Sequence, residues 1–248
     1  MKVLALYNLK GGVGKTASAV NLAYLAAVAG ARTLIWDLDP QGAASYYFRI
    51  RPRVKGLKKM VAGRRSVDGA LRGTDFPGLD LLPADFSARN LDLLLEAAGR
   101  PRKRLVRLVE PLASRYDRVY LDCPPGLSLL SESIFRVADA LLVPTIPTTL
   151  SLRALAQLDR HLARKGPAGL LVWPFFSQVD RRKALHRETL AQRGGHPFPV
   201  LHATIPYSSQ VERMGLVRSP VVEFSPRSAP ARSYLALQEE IERRLAET

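Results

Sequence analysis

A glycine-rich segment near the amino terminus constrains the fold of this chain more than any other feature. Residues 8 to 16 read Asn-Leu-Lys-Gly-Gly-Val-Gly-Lys-Thr. They follow a short apolar run, Val3 to Tyr7, and precede an alanine- and leucine-rich stretch, Ala17 to Ala29, so they are predicted to connect a buried strand to a helix. Glycines at such a turn let backbone N–H groups converge on phosphate oxygens, beside the positive end of the helix. The residues expected to bind phosphate are Gly11, Gly12, Val13, Gly14, Lys15, Thr16 and Ala17.

Two side chains of this segment have the chemistry that a bound triphosphate requires. Lys15 is placed to reach the β- and γ-phosphates, and Thr16 offers a hydroxyl to Mg²⁺. The general pattern of such loops begins with glycine where this chain has Leu9, so a chance cluster of glycines is the alternative interpretation. The order of strand, loop and helix favours phosphate binding, because each part falls where that function needs it.

Length and composition indicate an intracellular globular protein. With 248 residues and 47% hydrophobic content, the chain can bury one large core, and we expect a single α/β domain over residues 1–248. The amino terminus enters the first predicted strand without a signal peptide, and no apolar stretch reaches the length of a membrane span, so we expect a cytosolic protein. The one cysteine, Cys123, excludes an intramolecular disulfide framework and an intrachain multi-cysteine metal site.

The chain is strongly basic, with 37 Lys and Arg residues, 22 Asp and Glu residues and a formal net charge of +15. Such an excess favours a polyanion as partner, either nucleic acid or an anionic membrane surface, although a merely soluble basic face is the alternative. No acid occurs between Pro40 and Val67, and few aromatic residues interleave with the bases, which favours sequence-independent contacts to a duplex backbone over base stacking. The basic residues of this run and of a second cluster are Arg49, Arg51, Arg53, Lys55, Lys58, Lys59, Arg64 and Arg65, then Arg100, Arg102, Lys103, Arg104 and Arg107.

Apolar strand-like runs alternate with helical stretches along the chain. This pattern predicts a doubly wound, mostly parallel sheet with helices on both faces. Further strands are predicted at Thr33–Trp36, Leu79–Leu82, Val119–Leu121, Ala140–Val143, Leu170–Trp173 and Val200–Ala203. Further helices are predicted at Leu91–Ala98, Leu105–Ser114, Leu152–Lys165, Ala184–Gln192 and Ser233–Ala246.

Carboxylates follow two of these strands directly. Asp37 and Asp39 come after the second strand, and Asp122 comes after the fourth. Ligands of such sheets bind beyond the carboxyl ends of the strands, where an acid can hold a water of Mg²⁺ or orient an attacking water. Each acid could instead cap a helix or form a turn, but their position behind a phosphate-binding loop favours the catalytic interpretation.

The segment from Lys10 to Thr16 resembles the deviant phosphate-binding loop of the ParA/MinD family of ATPases, whose fold is a deviant P-loop NTPase fold. In that family the first lysine crosses a dimer interface and contacts the phosphates held by the other subunit. The resemblance implies that Lys10 is a nucleotide-binding and catalytic residue in trans, and that Lys15 and Asp39 are catalytic in cis. It also implies a Mg²⁺ site served by Thr16, Asp39 and Asp122, with ATP as the nucleotide.

The resemblance extends over nearly the whole chain. Segments Ser177–Arg182 and Thr204–Pro206 are similar to those that bracket the adenine base, which implies contacts from Ser177, Asp180 and Pro206. The family commonly has a second threonine at the position of Ala17. Arginines that bind DNA commonly follow the position of Pro206, where this chain has Tyr207 and Gln210. The residues expected to replace them on DNA are Arg213, Arg218 and Arg227.

Four classes of function compete. The resemblance favours an ATP-dependent dimerising switch, cytoplasmic and nucleoid-associated, that binds nonspecific double-stranded DNA and hydrolyses ATP slowly until an adaptor, ParB-like or other, stimulates it. Its cargo would be a chromosome, a plasmid or a protein compartment. A MinD-like membrane ATPase is the runner-up, but the acidic residues in Leu237–Thr248 argue against membrane insertion. A nitrogenase-reductase-like protein would need more cysteines, and an amide-forming or carboxylating enzyme would not require Lys10 or so basic a surface.

Overall fold

Eight strands form one mixed sheet in the computed structural model, which describes residues 1–54, 57–85, 91–97 and 101–248. The strand order is β3-β4-β2-β5-β1-β6-β7-β8, and all neighbouring strands are parallel except β3 and β4. The strands are β1 (Lys2–Leu6), β2 (Thr33–Asp37), β3 (Arg72–Gly73), β4 (Leu79–Leu82), β5 (Arg118–Asp122), β6 (Ala140–Thr145), β7 (Leu171–Val179) and β8 (Thr204–Pro206). The expected doubly wound sheet is confirmed.

Helices cover both faces of this sheet. The described α-helices are α1 (Lys15–Val28), α2 (Ala43–Tyr47), α3 (Leu57–Val61), α4 (Leu91–Ala97), α5 (Pro101–Val109), α6 (Leu129–Val137), α7 (Thr149–Lys165), α8 (Ala184–Ala191), α9 (Ser209–Glu212), α10 (Met214–Val217), α11 (Val221–Phe224) and α12 (Ala229–Ala246). Short 3₁₀ helices occupy Asp68–Ala70, Glu110–Ser114 and Arg193–Gly195.

The central strands are buried on both faces, which explains their continuous apolar sequences. Successive residues of β1 point to opposite sides, so Val3 and Ala5 join one apolar core while Leu4 and Leu6 join the other. Residues of α3, α5, α6 and α7 pack in the first core, and residues of α1, α10, α11 and α12 pack in the second. The strand ends, beyond which ligands of such sheets bind, are therefore held between two layers of helices.

The structure corrects several sequence predictions. The strand predicted at Val200–Ala203 is wrong, because β8 lies at Thr204–Pro206, after an irregularity in its pairing with β7. Leu201 instead packs as a buried residue and donates its backbone N–H to the carbonyl of Pro174 at 2.7 Å. The predicted helix Leu105–Ser114 is an α-helix that begins at Pro101 and ends at Val109, followed by a 3₁₀ turn. Ala98, the predicted end of another helix, lies outside the described residues.

Helix α6 is absent from the sequence predictions, although the sequence signals its start. Ser128 and Ser131 form a capping box, in which the Ser128 hydroxyl accepts from the Ser131 N–H and the Ser131 hydroxyl accepts from the Ser128 N–H. Similarly, α12 begins at Ala229, before the predicted Ser233, because Ser228 caps it and Pro230 stands in its first turn. Both errors come from following apolar periodicity and overlooking caps.

Candidate phosphate-binding cleft

An open cleft of about 1600 Å³ lies at the carboxyl ends of the strands, beside the glycine-rich loop. It brings together segments that are far apart in sequence: the loop itself, the turn after β2, the end of β7 and the residues around β8. The residues predicted from sequence that line this cleft are Gly11, Gly12, Gly14, Lys15, Thr16, Ala17, Asp39, Ser177 and Pro206.

The glycine-rich loop has the backbone conformation that its sequence requires. Gly12 and Gly14 have φ values of 71° and 89°, in the left-handed region where a Cβ would be strained. Val13, by contrast, is a buried residue, and its carbonyl accepts a hydrogen bond of 2.8 Å from the Ser177 hydroxyl. Gln178 donates to the Gly12 carbonyl at 2.5 Å. The end of β7 therefore holds the loop in place, and Ser177 acts here on the loop backbone.

Lys15 is the buried cation of the cleft. Its side chain is only 6% exposed, and its ammonium donates to the carbonyl of Lys10 at 3.0 Å. Burial lowers the Lys15 pKa, while the carboxylates of Asp122 and Asp39 oppose that shift. A positive charge held beside carboxylates, at the start of α1, is arranged to receive an anion.

Asp37 and Asp122 lie side by side at the ends of β2 and β5, where they are paired in the sheet register. One oxygen of Asp37 accepts from both the N–H and the hydroxyl of Ser45, each at 2.8 Å, which ties α2 to the strand end. Burial raises the pKa of Asp37 to about 6 in spite of these bonds. Within the described residues, neither oxygen of Asp122 has a hydrogen-bond partner. Burial and repulsion from Asp37 raise the Asp122 pKa, whereas the nearby Thr16 hydroxyl, which does not reach hydrogen-bonding geometry, and the charge of Lys15 lower it.

A fully buried carboxylate with two unpartnered oxygens is costly unless a cation or an ordered water satisfies it. Asp122 lies close enough to Thr16 and Lys15 for each to affect its pKa. This donor set suits Mg²⁺, which is bound through one or two protein oxygens, waters and substrate phosphates. The described residues contain no group of three or more His, Cys, Asp or Glu side chains that could hold a metal.

Asp39 differs from the two buried acids. It is partly exposed, lines the cleft, and accepts a hydrogen bond of 2.9 Å from the backbone N–H of Gln41. It therefore stands on the turn between β2 and α2 rather than inside the sheet, with its carboxylate available to water in the cleft.

Lys10 lies on the other side of the loop. Its backbone N–H donates to the side chain of Asn8 at 2.9 Å, and the amide of Asn8 donates to the Pro144 carbonyl at 2.8 Å. Lys10 does not line the cleft; it lines a separate shallow groove with Leu127, Leu150 and Arg153. The two lysines of one loop consequently face two different spaces.

Asp180 does not line the cleft either. Its carboxylate is paired with the guanidinium of Arg182 at 2.9 Å, whose hydrogen bonds lower the Asp180 pKa to about 2. Its assignment as an adenine contact therefore stays a prediction, and it receives less support from the geometry than those of Ser177 and Pro206.

The three arginines predicted to bind DNA come after β8 in the sequence. Arg213 and Arg227 are exposed. Arg218 is engaged: it donates to the Tyr46 carbonyl at 2.9 Å and lies 4.5 Å from the centre of the Tyr46 ring. It therefore joins α10 to the end of α2, next to the cleft.

Several residues of the cleft wall were not among the predicted binding residues, although one of them, Gln178, falls inside the predicted segment Ser177–Arg182. Tyr47, Gln178, Tyr207 and Tyr234 all line the cleft. Gln178 has a left-handed φ of 52°, unusual for a residue other than glycine, which places its amide against the loop. Nothing in a local pattern signals that conformation. Tyr47 belongs to the run Tyr46-Tyr47-Phe48, and three aromatic residues after a predicted catalytic turn were a usable signal.

Comparison with known proteins agrees with this geometry. A family model described as an AAA domain matches residues 1–164. The chromosome partitioning protein ParA of Caulobacter vibrioides is 32% identical over 250 residues, which cover 97% of this chain and 94% of that protein. The chain belongs to the ParA/MinD family of ATPases.

Solved structures support the family fold. A cobyrinic acid a,c-diamide synthase from Mycobacterium smegmatis with bound ADP and magnesium superposes with a TM-score of 0.84 at 25% identity, covering 99% of this chain and 96% of that one. The septum site-determining protein MinD of Pyrococcus horikoshii, complexed with Mg-ADP, gives a TM-score of 0.78 at 23% identity over 97% of this chain and 96% of its own. Members of this fold thus include proteins named for partitioning, for division-site placement and for biosynthesis.

Proposed function

We propose that this chain is an ATP-dependent dimerising switch that segregates or positions a cargo on DNA. Two copies would close on ATP and Mg²⁺, the dimer would bind double-stranded DNA without sequence preference, and slow hydrolysis, stimulated by a ParB-like or other adaptor, would release it. The protein would act in the cytoplasm, in association with the nucleoid. Its membership in the ParA/MinD family supports the ATPase and the positioning role.

The observation that carries the proposal is that Lys15 and Lys10 line two different pockets. Lys15 is buried and lines the chain's own cleft, whereas Lys10 lines the groove on the other side of the loop. A lysine that faces away from its own phosphate site can serve a phosphate that arrives with a second copy. In that role it would neutralise charge on the transferred phosphoryl group, as an arginine finger does.

The surface around Lys10 suits a second copy. Leu150 is 64% exposed and Leu127 is 38% exposed, and both line the groove that contains Lys10. Exposed large apolar side chains beside a charged residue are typical of a transient protein–protein interface. A dimer built here would cover the leucines and place each Lys10 near the partner's cleft.

The residues that would hold ATP and Mg²⁺ come from four segments. Residues 11 to 17 would surround the phosphates with backbone N–H groups, Lys15 would contact the β- and γ-phosphates, and Ser177 and Pro206 would lie toward the base. Thr16 and Asp122 would hold Mg²⁺, directly or through water, which when bound neutralises charge on the phosphates. Asp39, on the exposed turn, would orient or activate the hydrolytic water.

The membrane alternative receives less support from the terminal helix. Most large apolar residues of α12, among them Tyr234, Leu237 and Ile241, are buried in the core of the molecule, whereas Leu235 is 42% exposed. Glu242 of the same helix is paired with Arg118 at 2.6 Å. The main apolar face of α12 is thus packed against the core, and one exposed leucine is a small area for insertion into a bilayer. Within the described residues, no helix has the length and apolar character needed to cross a membrane.

The likeness to the Mycobacterium smegmatis structure named as a diamide synthase makes an ATP-dependent amide-forming enzyme the second candidate. One fold supports many chemistries, so this candidate rests on analogy. It predicts ATP turnover that depends on an added carboxylic acid and an amine donor. ATP turnover raised by DNA and adaptor but unchanged by those substrates would exclude it.

Duplex binding at several salt concentrations tests the proposed function. We expect the ATP-bound protein to bind two duplexes of unrelated sequence about equally, and to lose affinity steeply as salt rises, because phosphate contacts release counterions. With ADP the binding should be much weaker, since a monomer offers half the contacts.

A matched pair of double variants tests which surface binds the duplex. Arg213→Ala with Arg227→Ala removes two exposed arginines that are predicted to bind DNA, while Arg160→Ala with Arg164→Ala removes two exposed arginines from α7. Only the first should weaken binding, with ATP affinity unchanged in both. Recruitment of the ATP form to anionic liposomes and not to DNA would overturn the proposal in favour of the membrane alternative.

A further inference from the structure

A second basic surface lies away from the cleft, in an open groove of about 1070 Å³ between residues 60–67 and helix α5. Four arginines line it: Arg64, Arg65, Arg104 and Arg107. They come from both basic clusters of the sequence, which the fold brings together although they are well separated along the chain. Lys55 and Arg100 lie outside the described residues, as do the side chains of Lys58, Arg102 and Lys103.

The local sequence builds one wall of this groove. Helix α3 ends at Val61 and is followed by Gly63, whose φ of 74° is left-handed. The N–H of Gly63 donates to the Met60 carbonyl at 2.8 Å, and the N–H of Arg64 donates to the Lys59 carbonyl at 2.7 Å. This pair of bonds is a Schellman motif, which reverses the chain and leads directly into Arg64 and Arg65.

Two side-chain contacts fix this turn against its neighbours. The guanidinium of Arg104, on α5, donates to the Ala62 carbonyl at 3.4 Å. Arg115 pairs with Asp68 at 2.9 Å beyond the other end of the segment. Asp68, the first acid after the run, is thereby matched by a base, and none of the described residues that line the groove is acidic.

The floor of the groove is apolar but closed. Met60, Val61, Val67 and Leu108 line it, yet each belongs to the buried core and is at most 9% exposed. A peptide partner would need an open apolar pocket for its anchoring side chains. This surface instead offers the exposed arginines Arg64 and Arg107 above a filled floor, and guanidinium groups pair well with phosphate oxygens.

We propose that this arginine groove binds backbone phosphates of duplex DNA, as a second contact surface separate from Arg213 and Arg227. This inference rests on the proposed function, because it takes the same polyanion as ligand. The groove residues pack in one core of the sheet, whereas Met214 of α10 packs in the other. None of the residues that line the groove lines the cleft, so the contribution of a single groove is independent of which nucleotide is bound.

The test measures duplex binding by fluorescence anisotropy over a salt series, with ATP and with ADP. Arg64→Ala with Arg107→Ala should weaken binding about tenfold at roughly 0.1 M salt, and should lower the salt slope by roughly one for each phosphate that the variant no longer neutralises. The factor should be larger with ATP than with ADP, because the dimer presents two grooves to the duplex and the monomer presents one. Arg64→Lys with Arg107→Lys should retain most of the affinity, and Arg160→Ala with Arg164→Ala should leave it unchanged. ATP affinity, measured in every variant, reports intact folding.

A cross-linking experiment gives a second readout. Ser66 lines the groove and is exposed, whereas the chain's one cysteine, Cys123, is buried. Ser66→Cys therefore supplies one reactive thiol for a photo-activated cross-linker. We expect cross-links to duplex DNA with ATP and with ADP, and none from a control thiol placed at the exposed Glu188 of α8.

The outcomes separate this inference from the proposed function. Unchanged binding in Arg64→Ala with Arg107→Ala, while Arg213→Ala with Arg227→Ala loses it, overturns the groove and leaves the function standing. Loss in the groove variant with a wild type that gains no affinity from ATP supports the groove and overturns the switch. Competition by poly-L-glutamate as effective as by duplex DNA of equal charge, or binding of pyrophosphate with no effect of the variant on DNA, overturns the DNA assignment.

Discussion

The two sides of the glycine-rich loop differ in how complete they are. On the inner side, Lys15 is buried, Asp37 is bonded to Ser45, and Ser177 and Gln178 hold the loop from the end of β7. On the outer side, Lys10 lies among exposed leucines in a shallow groove. In the proposed function, the inner side binds the nucleotide within one chain, whereas the outer side gains its contacts only from a second copy. One loop would then separate nucleotide binding from assembly.

The largest expected effect comes from a substitution on the inner side of the loop. Lys15→Ala should reduce ATP affinity about a hundredfold or more, because charge-assisted hydrogen bonds contribute about 1.5–3 kcal/mol each and about 1.4 kcal/mol is a factor of ten. A binding titration with a fluorescent ATP analogue measures this. Lys10→Ala is the matched control, and it should bind nearly as well as wild type. Equal affinity in wild type and Lys15→Ala would refute the assignment of the cleft.

The second prediction separates binding from chemistry within the inner side. Asp39→Ala should bind ATP normally, since Asp39 stands on a partly exposed turn, but hydrolyse it roughly a hundredfold more slowly through loss of a water-orienting base. Single-turnover hydrolysis with saturating ATP measures the rate. A variant that hydrolyses ATP at the wild-type rate would remove Asp39 from the catalytic group.

The third prediction concerns a substitution on the outer side of the loop alone. Lys10→Ala should keep its ATP affinity but lose the ATP-induced dimer, because the ammonium gains a phosphate partner only when two copies meet. Sedimentation velocity with ATP, carried out in the Asp39→Ala background to prevent hydrolysis, compares the protein with and without Lys10. An ATP-induced dimer that is unchanged by Lys10→Ala would rule out the role in trans.

Features that depend on one continuous segment could be predicted from the sequence. The loop, its flanking strand and helix, and the acids after β2 and β5 are all readable locally, because glycine conformation and strand burial leave direct marks on composition. Contacts between segments that are far apart in sequence could not be predicted. The bond from Gln178 to Gly12 joins residues 166 positions apart. The outer groove combines Lys10 with Leu127 and Leu150, whose exposure no local pattern reveals.

The fourth prediction sharpens the comparison at the apolar part of the outer side. Leu150→Ala should weaken the ATP-dependent dimer about tenfold, as expected from removing roughly 1.5 kcal/mol or more of burial at an interface. The monomer should fold normally because this leucine is 64% exposed. Leu185→Ala, at a leucine of α8 that is 46% exposed, is the matched control. Equal effects of the two variants on the dimer would mean that the surface around Lys10 is not the interface.

The smallest effect concerns the inner side again, at the position where this chain departs from the family pattern. Ala17 lines the cleft in the first turn of α1 but is only 9% exposed, so a threonine there would direct its hydroxyl to the cleft while its methyl group packs against the core. Ala17→Thr should tighten ATP binding a few-fold, because one added hydrogen bond contributes about 0.5–1.5 kcal/mol, while the β-branched side chain costs the helix about 0.7 kcal/mol of stability at most. Ala17→Val, which has the same shape without the hydroxyl, is the control. Thermal unfolding and an ATP titration on both variants separate the two effects, and equal ATP affinity in the threonine and valine variants would show that no phosphate lies within reach of position 17.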